Sequence, residues 1–149
     1  MPKEWLGLIL SLFLALIFDQ IVKYGIVFHG LRYEGEFFSI ILTFNKGVAF
    51  SMLSSLGPWL KYLQILLLCM IVLYLIFNKP LVSLHGRAFG IIIGSGISNL
   101  FDRFYHGGVV DYIFWHKWFE FAVFNLADAM INLAVAMILY RSIFKKELS

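Results

Sequence analysis

Two carboxylates stand out as a pair able to do chemistry: Asp111, in GSGISNLFDRFYHGGVVDY (residues 94–112), and Asp128, in FNLADAMIN (residues 124–132). An ionisable side chain at membrane depth costs about 3 kcal/mol or more to insert, so in an apolar chain it calls for a function or a partner. Two carboxylates held close together do not both ionise cheaply and share a proton near neutral pH. The ionised member can take a proton from a water while the protonated member donates to a carbonyl oxygen, the division of labour in aspartic proteases. Such a pair hydrolyses a peptide bond with no metal, no cofactor and no covalent intermediate. The competing use of intramembrane acids is an ion or proton path in a small polytopic transporter or channel subunit. That use distributes acids across the bilayer, whereas these cluster toward one face.

Other polar residues fall at helical spacings around the pair. Asp19 and Lys23 are four apart, where helical side chains meet, and read as a mutually neutralised pair or as groups that orient a loop or substrate. Ser95, Asn99 and Asp102 form a polar stripe on one helix face, and Asn125, Asp128 and Asn132 form another. Arg103 is expected to snorkel to the outer interface. Gly90 and Gly94 have the GxxxG spacing that lets a neighbouring helix approach closely, while Gly107 and Gly108 allow a loop before Asp111. A zinc protease would need HExxH, but His29, His85, His106 and His116 are scattered in loops or at span ends. Ser95 between two glycines has no histidine within a span to activate it. Cys69 is the one cysteine, so neither a disulfide nor a Cys-based metal site forms within one chain.

The elements that must position these residues are membrane spans. The 149 residues are 61% hydrophobic and only 14% charged, against about 25% charge in soluble domains. The expected fold is an all-α polytopic membrane protein, one integral membrane domain over residues 1–149. Its spans lie at about residues 6–28, 59–77, 87–104 and 119–140, since a crossing helix needs roughly 20 mostly apolar residues. The third is the weakest by hydropathy, stopping at Asn99, Asp102 and Arg103. The net charge of +3 is dispersed, with no arginine-rich run for nucleic acid. No small-x-small site follows the first apolar stretch, so it reads as an uncleaved anchor. Lys3, Lys79, Arg87, Arg141, Lys145 and Lys146 outweigh the opposite loops, which places both termini in the cytoplasm and Asp111 and Asp128 near the outer face. With the third and fourth spans antiparallel, those two acids reach similar depth. Residues 29–58 form an extracytoplasmic cradle: residues 38–44 alternate with a β-like period, Asn45-Lys46-Gly47 marks a turn, and residues 48–56 suit a short surface helix ended by Gly57-Pro58.

At these residues the chain resembles the bacterial lipoprotein signal peptidase family, the type II signal peptidases, over nearly its whole length. Four motifs stand in family order: FDQIVK with Asp19 and Lys23; FNKGVAFS with Asn45, Gly47, Ala49 and Phe50; GISNLFDRFYHGGVVDYI with Asn99, Asp102, Arg103, Gly108 and Asp111; and FNLADAMIN with Asn125, Ala127 and Asp128. Ser98, Lys46, Val48 and Ala129 depart from the family's commoner residues, and none removes a carboxylate. Presenilin-like and prepilin peptidases pair an aspartate with GxGD, where this chain has GVVD.

The resemblance implies a membrane-embedded aspartyl endopeptidase in the bacterial cytoplasmic membrane. It would cut prolipoproteins just before a cysteine already carrying diacylglycerol, with Asp111 and Asp128 as the catalytic dyad. Asn45, Asn99, Arg103 and Asn125 would support the dyad or substrate carbonyls, and Asp19 would be structural or substrate-positioning. Lys23, Gly47, Phe50 and Gly108 belong to the same supporting set. Phe44 and Phe50 are expected to clamp the peptide. The partners implied are the lipid-modified substrate and membrane lipid, with the protein acting as a monomer.

Overall fold

The computed structural model describes residues 3–47 and 54–144. Four helices are long and apolar enough to cross a membrane: α1 (Lys3–Phe28), α2 (Leu60–Phe77), α3 (Lys79–Tyr105) and α4 (Leu126–Phe144). Three short strands lie at one end: β1 (Tyr33–Glu34), β2 (Phe38–Asn45) and β3 (Val109–Trp115). They form an antiparallel sheet in the order β1-β2-β3. The chain is a mostly helical multi-pass membrane protein with a small sheet.

The third helix is the axis of the bundle. Of its most apolar 18-residue window 56% is buried, against 11–17% for the other three, and it packs on α1, α2 and α4. A helix surrounded by protein has little use for lipid-facing leucines, which is why this span reads weakly by hydropathy. Its glycines set the approach of α1. A Cβ at Gly90 would lie 2.2 Å from the Leu8 carbonyl oxygen, and one at Gly94 would lie 2.2 Å from that of Leu12. Ser11 Oγ donates across this seam to Arg87 O at 2.9 Å. The lipid-facing sides carry exposed apolar residues such as Leu14, Phe18 and Ile21 on α1 and Leu66, Leu73 and Phe77 on α2, as expected where hydrocarbon is the solvent.

Element boundaries depart from the sequence reading in four places. Helix α3 begins at Lys79, not near residue 87, with only Asn78 separating it from α2 and Pro80 in its first turn. Proline is preorganised for a first helical turn, and the 27 residues of α3 span about 40 Å at helical rise, longer than a hydrocarbon core of about 30 Å. Helix α4 begins at Leu126, not near residue 119. The apolar residues before it run extended along β3, with Phe124 bridging Ile113. The segment after Gly107-Gly108, expected as a loop, is strand β3, so the cradle draws on residues beyond 29–58. Gly107, at φ 74°, is what lets the chain leave α3 and turn into that strand. Of the surface helix expected over residues 48–56, residues 48–53 lie outside the described residues, and Ser54–Trp59 is a 3-10 turn containing Gly57 at φ 47°.

Candidate active site

Strand pairing delivers Asp111. Its strand is paired with β2 so that Thr43 faces Asp111 and Asn45 faces Val109, which puts Asn45 and Asp111 diagonally on one face of the sheet. A bulge between Ile40 and Thr43 resets the alternation of β2. Asn45 Nδ2 then donates to Asp111 Oδ2 at 2.9 Å. Gly108 permits this closeness, since a Cβ there would sit 3.0 Å from the Asn45 carbonyl oxygen.

Helix capping delivers Asp128. Asn125 is the N-cap of α4 and Asp128 its third residue, and the two form a reciprocal capping box. Asp128 N–H donates to Asn125 Oδ1 at 2.9 Å, and Asn125 N–H donates to Asp128 Oδ2 at 3.2 Å. The strand-like bonds of Phe124 with Tyr112 and Ile113 hold this helix start against β3. The two remaining open amides of the first turn go to Asp19 Oδ1, from Ala127 at 2.8 Å, and to the Tyr112 hydroxyl, from Leu126 at 3.1 Å. Burial pushes the Tyr112 phenol above its usual range, so it remains a neutral hydroxyl.

Asn125 joins the two carboxylates. While its backbone and Oδ1 hold Asp128, its Nδ2 donates to Asp111 Oδ1 at 2.8 Å and lies 3.1 Å from Asn99 Oδ1. Asn99 Nδ2 in turn donates to Asp128 Oδ1 at 2.9 Å. Both acids border one cavity of about 620 Å³, whose remaining wall includes Leu60, Leu63, Leu67, Phe121 and Ile131. Asp111 is 2% exposed. Burial, and then the charge of Asp128, raise its pKa to about 6 against the opposing hydrogen bonds from Asn45 and Asn125.

Behind the pair lies a buried charge cluster. Lys23 Nζ contacts Asp19 Oδ2 at 2.6 Å, Asp102 Oδ2 at 2.7 Å and Asn99 Oδ1 at 2.8 Å, which uses all three ammonium protons. An ammonium only donates, so Asn99 must present its oxygen to Lys23 and its NH2 to Asp128. Lys23 thereby fixes the polarity of the bond made to the candidate dyad. Asp19 is completed by Ser98 Oγ at 2.5 Å, and Asp102 by Gln20 at 3.0 Å and Val110 N–H at 3.1 Å. Asp102 thus ties the start of β3 to α3.

The polar residues expected to act together do converge: Asp19, Lys23, Asn45, Asn99, Asn125, Asp111 and Asp128 form one continuous network. Arg103 does not snorkel outward. It donates from Nη2 to the Gly47 carbonyl at 2.5 Å and from Nε to Gln64 Oε1 at 3.0 Å. Gly47 N–H donates to Asn45 Oδ1 at 2.9 Å, so Arg103 steadies the turn that carries Asn45. Phe50 lies outside the described residues. Gln64, Gln20 and Tyr112 are parts of the site that sequence reasoning passed over; the signal for Gln64 was a lone amide inside an apolar span. Among the described residues no three His, Cys, Asp or Glu side chains group as metal ligands.

A family model described as signal peptidase (SPase) II matches residues 11–144. The chain belongs to the signal peptidase II family. It is 52% identical to a lipoprotein signal peptidase of Campylobacter jejuni over 89% of this chain and 85% of that protein. A lipoprotein signal peptidase of Helicobacter pylori is 49% identical over 94% and 90%, and one of Wolinella succinogenes 47% over 90% and 91%. Among solved structures, a bacterial membrane enzyme determined by the in meso method at 2.3 Å superimposes with a TM-score of 0.76 at 29% identity, covering 95% of this chain and 89% of that one. A second, at 1.9 Å, gives 0.74 at 28% identity, covering 89% and 90%.

Proposed function

We propose that this signal peptidase II cleaves prolipoprotein signal peptides by an aspartyl mechanism, on the N-terminal side of a diacylglyceryl-modified cysteine. The prolipoprotein-processing activity follows from the family and the relatives named above. The observation that carries the mechanism is the pairing of Asp111 and Asp128 through Asn125 on one cavity. One carboxylate, ionised, takes a proton from a water as the water oxygen attacks the scissile carbonyl carbon. The other, protonated, donates to the carbonyl oxygen, giving a neutral tetrahedral diol. The diol collapses when a hydroxyl proton returns to a carboxylate and the amine leaves with the other proton.

The substrate's acyl chains would stay in lipid and run along the leucines of α2, so the scissile bond meets the dyad without leaving the membrane surface. Arg103 and Asn45 would hold the β2 turn over the peptide. The protein would act as a monomer in the bacterial cytoplasmic membrane, with both termini cytoplasmic and the dyad near the outer face. A transporter role is disfavoured because Asp19, Asp102, Asp111 and Asp128 gather in one network instead of spacing out across the bilayer.

The test is cleavage of diacylglyceryl-modified prolipoprotein by purified protein. Asp111→Asn and Asp128→Asn should each lose about a hundredfold to ten-thousandfold in rate, the usual contribution of a positioned acid or base. Two variants with parental turnover would refute the dyad.

A further inference from the structure

At the end of the bundle opposite Asp111 and Asp128, cations from three helices meet at one polar cavity. Lys3 opens α1, Arg87 lies on α3 and Arg141 lies near the end of α4, and all three border a cavity of about 510 Å³. Glu4 is the acid at its rim, yet among the described residues none of the three cations forms an ion pair.

The arrangement is built into the helix packing. A Cβ at Gly7 would lie 3.4 Å from Arg87 Cγ and 3.6 Å from its Nε, so the arginine stem runs along the α1 backbone into the cavity. At Gly86 a Cβ would lie 3.2 Å from the Glu4 carbonyl oxygen, which brings α3 and α1 together directly beneath it. His85 is buried at the floor, its Nε2 3.4 Å from Ser142 Oγ. Membrane orientation explains basic residues near helix ends, but it does not require three of them, from three helices, to share one cavity.

We propose that this cavity binds the phosphate headgroup of an anionic phospholipid from the leaflet at that end. Guanidinium groups match phosphate oxygens in a two-point geometry, and basic pockets between membrane helices suit such headgroups. The wall argues for a lipid over free phosphate: Met137 borders the cavity and is 47% exposed, giving the acyl chains an apolar path down α4.

The test is native mass spectrometry and thermal unfolding of the full chain in neutral detergent, with added phosphatidylglycerol, phosphatidylcholine or inorganic phosphate. Phosphatidylglycerol should bind and raise the unfolding midpoint; the other two should not. Arg87→Gln and Arg141→Gln should each weaken that binding about fivefold, the usual effect of one basic residue near an anionic surface. The Arg→Lys variants keep the charge but lose the two-point match, and should bind between the parent and the Gln variants. Prolipoprotein cleavage by the double Gln variant in neutral detergent should stay parental, which separates headgroup binding from folding. Equal response to both lipids, an undiminished phosphatidylglycerol response in the double Gln variant, or inorganic phosphate acting as well as the lipid would each overturn the proposal.

Discussion

Lys23→Met would remove the ammonium shared by Asp19, Asp102 and Asn99 while keeping a side chain of similar length. Lys23, Asp19 and Asp102 are 2%, 0% and 1% exposed, so solvent does not screen the loss. Removing one partner of a buried ion pair costs about 3–5 kcal/mol. Here the carboxylates retain other donors: Asp19 keeps Ser98 Oγ and the Ala127 amide, and Asp102 keeps Gln20 and the Val110 amide. The expected cost is therefore at the low end, about 3 kcal/mol, or about 6–12 °C in the unfolding midpoint for a chain of this length. Catalysis should suffer separately. Without the ammonium, Asn99 Oδ1 keeps one donor, Asn125 Nδ2 at 3.1 Å, a neutral bond worth about 1 kcal/mol, so the amide is held less firmly against Asp128. Turnover should fall about tenfold, with a smaller change in KM. Thermal unfolding in detergent and steady-state cleavage below the variant's midpoint read the two effects. Adding Asp102→Asn should restore part of the stability, because one uncompensated carboxylate is then gone. A Lys23→Met protein with parental midpoint and parental turnover would refute the view that this cluster supports the dyad.

Further outcomes follow from the same geometry. Asp111 has its pKa raised to about 6, chiefly by burial. On the reading that Asp111 is the proton donor of the pair, kcat/KM should fall as pH rises through about 6, where its carboxyl ionises. Asn45→Ala deletes a hydrogen bond that favours the ionised form, so this descending limb should move to higher pH; a shift downward would contradict the assignment. Gly94→Ala sets a Cβ against the α1 backbone and should destabilise by about 1–3 kcal/mol. Gly96→Ala meets the flexible end of Leu68 at 2.9 Å and should cost less, a contrast that unfolding midpoints resolve. Arg103→Lys keeps the charge but not the fork that reaches both Gly47 and Gln64, so kcat/KM should drop about tenfold at nearly unchanged midpoint.

Much of this protein was legible in the chain alone. Composition marked the membrane, apolar runs marked four helices, and helical spacing grouped Ser95 with Asn99 and Asp102, and Asn125 with Asp128. These are local properties of one helix or one window, and periodicity reports them directly. The start of α4 was misplaced because residues 119–124 are mostly apolar and continue into the span; only the tertiary bonds of Phe121 and Phe124 to β3 keep them out of the helix. Strand β3 itself read as a loop because its glycine entry masked a pairing with a segment more than sixty residues earlier.

Tertiary structure alone decided the connections. Asp19 and Lys23 looked like a self-contained pair, and packing of α1 on α3 turned them into the support of Asn99. Arg103 looked like a snorkelling residue until the turn at Gly47 came within its reach. The candidate dyad shows the same division. Its two aspartates are visible as residue types, but one is placed by a sheet register and the other by a helix cap. What joins them is Asn125, whose side chain reaches both only after strand and helix have been brought together.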